Sequence, residues 1–247
     1  VHTLFPEEIP VKMWPLPVRD LLFLGKSSEK KLKEAGIRTI GVLAHEKKPK
    51  IQALLGEKAG QQLYRYARGL DDSPVKMKPD EAKGFSLETT FNDDIVSVEQ
   101  VLPILLEQCD VVATRMRRKE KKCTSVSVTF RTLDFRNKSH QTTLPNATDM
   151  TDEIYKNAKK LFIESWKGEP LRLIGVALTN LTDESFEQMS LFEDNEQKER
   201  HRKLDATMDA IRQKFGNDKI TRASIMNSNT GIARKARAQM KNEDEKK

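Results

Sequence analysis

Between about Ala82 and Leu181 the spacing of the apolar residues switches between two and 3.6 in a fixed order, and that order leaves few folds open. Phe85, Leu87, Thr89 and Phe91 alternate with Gly84, Ser86, Glu88 and Thr90, which is the period of a strand. Val101, Leu105, Cys109, Val112 and Met116 then mark one face of a long helix, with Pro103 expected in its first turn or at a kink. Val126, Val128 and Phe130 alternate with Ser125, Ser127, Thr129 and Arg131. A turn over Asp134 to Lys138 brings the chain back as Ser139 to Leu144. Ile154, Ala158, Leu161, Phe162 and Trp166 make a second helix, stopped by Gly168 and Pro170, and Leu171 to Leu181 is a last strand, apolar at its centre. Two strand-helix-strand halves close into one sheet with both helices on one face, an α+β unit. The other face is then either wetted or laid against something polar.

The flanking segments read differently. Up to about Val75, short helical patterns (Val18 to Phe23, Ser28 to Ala35, Ile40 to Ala44, Ile51 to Leu55, Lys58 to Arg68) are each closed by a glycine or polar break, with no strand pattern. Before them, Pro6 to Pro17 reads as an extended connector, because proline opposes helix. The expected divisions are residues 1–79, helical with that connector; 80–182, the sheet unit; 183–194, a linker; and 195–247. The last holds a charged helix from about Gln197 to Phe215, striped by Leu204, Met208, Ile211 and Phe215, and a charge-rich tail from Ala233 predicted to be disordered.

Composition removes several function classes. Lys and Arg number 44 against 37 Asp and Glu, a net charge of +7, compatible with nucleic acid or another acidic surface. Cys109 and Cys123 stand alone without metal-ligand spacing, which argues against a zinc or disulfide framework and fits a reducing cytoplasm. No apolar run approaches the ~20 residues of a membrane span, and the N-terminus lacks a signal-peptide pattern. The start at Val1, without Met, reads as a piece of a longer protein. There is no nucleophile elbow and no P-loop, the four histidines are scattered, and Asp93 and Asp94 are neighbours that point oppositely in a strand. No carboxylate pair suits two-metal phosphoryl transfer.

Four groupings carry chemistry. Gly25, Lys26 and Ser28, with Lys30 and Lys31, lie between two short helices. There a glycine lets a ligand come close, Ser28 caps the second helix, and its first amides form an anion site; an ordinary helical turn with solvated lysines is the alternative. Ser86, Ser125, Ser127, Thr129, Arg131 and Thr143, with Lys83, Arg136 and Lys138 near strand ends, place hydroxyls and cations on the open sheet face, suited to a phosphate backbone or simply to water. Few aromatics lie there, which argues against stacked single strands. Gln188, Met189, Leu191 and Phe192 put apolar anchors in a polar linker, for docking as an extended peptide or for clipping onto the neighbouring helix. The basic run Arg115 to Lys122 suits either DNA or the negative end of its helix.

The order of motifs resembles a family. Trp14 to Asp20, Gly25-Lys26, Leu32 to Gly41 and Ala67 to Val75 resemble the thumb of Y-family translesion DNA polymerases of the UmuC/DinB (impB/mucB/samB) type. Glu88 to Phe91 and Arg172 to Val176 resemble the first and last strands of that family's little finger, and Ile220 to Ser224 its bacterial members. Gln188 to Phe192 is similar to its sliding-clamp peptide, with Met189 where Leu is usual. Phe23 replaces the hairpin's first glycine, and Gly84 stands where a small hydroxyl residue is common. The resemblance implies a helical thumb contacting backbone on the minor-groove side through Gly25, Lys26, Ser27, Ser28 and Lys31. It implies a little finger in the major groove, touching phosphates through residues such as Ser125, Ser127, Arg131, Lys138 and Arg172. Primer-template DNA and the bacterial sliding clamp are the implied partners. Catalytic carboxylates and magnesium would belong to the parent's palm, leaving this chain with no catalytic site and no cofactor of its own. A stand-alone DNA-binding or clamp-docking adaptor is the rival reading.

Overall fold

Pro6 and Pro10 turn out to start helix. In the computed structural model, which describes residues 3–75, 77, 80–183, 195–217 and 219–225, Pro6–Glu8 form a 3₁₀ turn that runs into α1, Ile9–Lys12. Both prolines sit in first-turn positions, where the missing N–H has no intrahelical partner to lose, so the connector expected to be extended is helical there. A second 3₁₀ turn, Val18–Asp20, precedes α2 (Lys26–Glu34), α3 (Ile40–His45), α4 (Lys48–Leu55) and α5 (Glu57–Tyr66). Leu32, Ile37, Ile40, Leu43, Ile51 and Leu63 meet in their core. Trp14 closes it, its indole N–H donating to the Ala67 carbonyl at 3.0 Å. Helices α4 and α5 cross closely at Gly60, where a Cβ would lie 2.6 Å from Gln52 Cα. This all-helical unit parts from the rest of the chain between Pro79 and Asp80.

The second unit is one antiparallel sheet of β1 (Gly84–Ile95), β2 (Lys122–Thr132), β3 (Asn137–Thr148) and β4 (Leu171–Thr182), in the order β1-β4-β2-β3. Helices α6 (Val98–Arg117) and α7 (Thr151–Ser165) both pack on one face, α6 over β1 and β4, α7 over β2 and β3. The predicted stripe Val101, Leu105, Cys109, Val112 and Met116 is wholly buried against Val126, Val128, Phe130, Ile174 and Val176. Pro103 lies beyond the first turn, inside α6. Burial pushes the Cys109 thiol up, and the Cys123 thiol to about 12, so both are fillers rather than nucleophiles. No helix among the described residues is long and apolar enough to cross a membrane.

Helix α8 (Asn195–Phe215) joins this unit, with only Met208 of the expected stripe buried. Leu204 and Phe215 are exposed; the inward face is turned by one residue and carries Asp205, Met208, Asp209 and Arg212. Asp110 and Arg117 of α6 meet it, and the chain returns after α8 to add Arg222. Arg117 pairs with Asp209 at 2.6 Å and Asp205 at 3.3 Å. Arg212 pairs with Asp110 at 2.5 Å and Asp209 at 3.9 Å, and Arg222 with Asp205 at 2.5 Å and Asp110 at 3.3 Å. Every arginine bridges two aspartates and every aspartate two arginines, so six mostly buried charges close into a ring. Asp205 also accepts the Thr151 amide at 2.8 Å, joining the start of α7 to it. Burial works against the charge on Arg117, but the hydrogen bond to Asp209 and the charges of Asp209, Asp205 and Asp110 hold its pKa above the usual arginine value. The tail from Ala233 lies outside the described residues.

Candidate nucleic-acid interface

Strand register lays out the open face of the sheet row by row. Reading β1, β4, β2, β3, the first row is Gly84, Thr179, Ser125, Thr143; the second Ser86, Ala177, Ser127, Gln141; the third Glu88, Gly175, Thr129, Ser139; the fourth Thr90, Leu173, Arg131, Asn137. Small neutral side chains fill most of these positions, so a long polymer can approach the backbone closely. Arg131 is the one cation in the rows and Glu88 the one carboxylate. A Cβ at Gly175 would overlap the Glu88 side chain, which therefore lies flat across the central strand. Hydroxyls knit neighbouring strands: Thr129 with Ser139 at 2.9 Å, Ser127 to the Ala177 carbonyl at 3.3 Å. Arg131 Nε donates to Asn137 Oδ1 at 2.6 Å, which orients its guanidinium.

Sequence-predicted residues distribute unevenly over this surface. Ser86, Ser127, Thr129, Arg131 and Thr143 stand on it together. Ser125 shares the register but is buried, its hydroxyl spent on the Thr142 carbonyl at 3.3 Å. Lys83 is exposed just before β1. Arg136 is exposed in the β2–β3 turn and pairs with Asp134 at 2.8 Å. Lys138 pairs in register with Phe130 on the helix side and is ion-paired with Glu169, whose carboxyl that hydrogen bond lowers to about 2. Arg172 is the extra residue where β4 skips register against Arg131 and Thr132. Of the basic run, Arg117 is turned inward to the charge ring. Glu88, Gln141 and Ser139 were not singled out from sequence; only the register of β3 on β2 brings the last two into the rows. Gln188, Met189, Leu191 and Phe192 lie outside the described residues.

In the helical unit, α2 starts at Lys26 with Gly25 as its N-cap, two residues ahead of the expected start at Ser28. Ser27 and Ser28 thus fall in the first turn, whose amides have no intrahelical acceptor and no side-chain cap. Gly25, Lys26, Ser27 and Lys31 are exposed and Ser28 is half-buried. Glu29, the acid of this turn, is held by Lys33 at 2.6 Å, and that hydrogen bond keeps its carboxyl below the usual range. Lys26 and Lys31 pair with no carboxylate among the described residues. The left-handed backbone of the hairpin falls on Phe23 at φ 67°, not on Gly25 at φ −81°. A bulky residue there is strained. What Gly25 supplies is open space: nothing lies within 4 Å of where its Cβ would be.

Among the described residues the acids do not form a metal centre. Asp110, Asp205 and Asp209 are each engaged by arginines, and among the described residues no three His, Cys, Asp or Glu stand together as ligands.

Comparison with known proteins adds a family to this geometry. Residues 19–71 match the thumb domain described for DNA polymerase iota, and residues 82–191 the impB/mucB/samB family C-terminal domain. The chain is 42% identical over 226 residues to DNA polymerase IV of Clostridium acetobutylicum, covering 92% of this chain and 57% of that protein. It is 36% identical over 236 residues to DNA polymerase IV of Alkaliphilus oremlandii, covering 92% and 59%. DNA polymerase IV 1 of Bacillus subtilis is 30% identical over 222 residues. The chain thus spans somewhat over half the length of these relatives. A Y-family DNA polymerase chimera of known structure shares the fold, at a TM-score of 0.59 and 18% identity over 73% of this chain and 52% of that one.

Proposed function

We propose that this chain, which belongs to the Y family of DNA polymerases as its thumb and impB/mucB/samB C-terminal domain, grips primer-template DNA through the sugar-phosphate backbone, without reading sequence. The observation that carries this is the four-row open face, where hydroxyls, glycines and one oriented arginine offer close approach and few groups long enough to read base edges. The α2 start, with free amides beside Lys26 and Lys31, is the second grip, suited to a phosphate. Such a hold tolerates altered bases, which suits synthesis across lesions. Binding should fall with salt at a log-log slope of a few units, each phosphate contact contributing about −0.9. A fluorescence-anisotropy titration of primer-template DNA over a salt series measures it, and salt-insensitive binding rejects the proposal.

Nucleotide addition, with its magnesium, we assign to residues outside this chain, since Asp110, Asp205 and Asp209 are engaged by arginines and no three His, Cys, Asp or Glu among the described residues stand together as metal ligands. The second partner is a bacterial sliding clamp in the cytoplasm, docked through Gln188, Met189, Leu191 and Phe192, with the last two as apolar anchors. Changing Leu191 and Phe192 to alanine together should remove retention on immobilised clamp; undiminished retention discards the assignment.

A further inference from the structure

The β2–β3 turn carries an aromatic ring where the backbone asks for glycine. The Thr132 amide donates to the Arg136 carbonyl at 3.2 Å and the Phe135 amide to the Thr132 carbonyl at 3.0 Å, so Leu133, Asp134 and Phe135 form a three-residue loop. Loops of this length end on a left-handed residue, for which glycine is favoured. Here it is Phe135, at φ 60° and 65% exposed. A bulky residue in that region is an outlier, and a ring this exposed gains little burial to offset the strain. A second irregularity, on another strand, converges on it. Arg172 is the residue by which β4 slips register, and its guanidinium lies over the Phe135 ring at 5.2 Å. Neither Arg172 nor Arg131, which stands in the adjacent row, is paired with a carboxylate among the described residues.

We propose that Phe135, backed by Arg172, stacks an unpaired nucleobase where a single strand runs on from the duplex held by the sheet. The ligand follows from the chemistry. A ring already covered by a cation on one side keeps its other face for a π-system, and every base has one. The unpaired arginines match the phosphates on either side of that base. No aromatic stands in the four rows, so the turn adds a single-strand contact that the face lacks. This inference rests on the backbone grip proposed above.

The test compares a blunt duplex with the same duplex carrying a single-stranded extension, by anisotropy, for the unaltered chain and for Phe135→Gly and Phe135→Trp. Glycine relieves the backbone strain, so Phe135→Gly keeps the loop while deleting the ring. The unaltered chain and Phe135→Trp should bind the extended probe about tenfold tighter than the blunt one. Phe135→Gly should keep the blunt affinity of the unaltered chain and lose most of the tenfold preference, retaining only what Arg131 and Arg172 give on the flanking phosphates. An undiminished extension preference in Phe135→Gly, or its absence from the unaltered chain, overturns the stacking site and leaves the backbone grip standing. Failure of the unaltered chain to bind either probe overturns both.

Discussion

Arg212→Ala should destabilise the C-terminal domain by about 3–5 kcal/mol, the range for breaking a buried ion pair from one side. The expectation follows from the closure of the charge ring. Arg212 bridges Asp110 and Asp209, and its side chain is 5% exposed. Without it, Asp110 keeps Arg222 as its one arginine and Asp209 keeps Arg117 and the Thr114 hydroxyl at 2.9 Å, and both acids stay in a setting that water does not reach well. The Thr114 hydroxyl loses the Arg212 donor at 3.2 Å as well. Urea denaturation followed by circular dichroism measures the loss. A change below about 1 kcal/mol, the usual scale of a surface pair, contradicts the ring as a buried structural element. Exchanging all six members for apolar residues of similar volume is a different experiment, because such replacements are often neutral or stabilising.

Charge reversal on the open face should have the largest effect on binding. Ser127→Glu with Arg131→Glu puts two carboxylates in the second and fourth rows, on the same strand and four residues apart. If phosphates lie there, like charges meet at a cost of several kcal/mol, and affinity for primer-template should fall about 100-fold, since ~1.4 kcal/mol is tenfold. Both positions are half-buried on a polar face and away from the helix layer, so thermal unfolding should move little. Anisotropy and a melting curve on the same sample separate the two readouts. Binding within about threefold of the unaltered chain places the DNA elsewhere.

The helix and strand order of the sheet unit was legible because its apolar periods are regular. Val126, Val128 and Phe130 can face the helices only if Ser127, Thr129 and Arg131 face away. Register was harder to read. Lys138 looks like a free cation near a strand end, and only its pairing with Phe130 turns it to the helix side, where Glu169 meets it. Ser125 sits on the correct face yet is buried by its neighbours, which alternation cannot report. The charge ring was invisible for a stronger reason. Asp110 and Arg117 on α6, and Asp205, Asp209 and Arg212 on α8, read as ordinary solvated charges of amphipathic helices. The four pairs that tie α6 into the ring span 88 to 112 residues of sequence, so no local pattern announces them. A stripe chosen by apolarity alone on α8 was therefore displaced by one position, because the charges rather than Leu204 and Phe215 face inward.

The proposed grip holds phosphates and does not inspect bases. Its most direct test is binding to duplexes in which successive phosphates are replaced by neutral methylphosphonates, set beside duplexes of scrambled sequence. Affinity should drop at each neutralised phosphate within the contacted stretch, and scrambling should change it less than about twofold. Binding that survives neutralisation but falls by about fivefold or more on single base changes, as base readout gives, would contradict it.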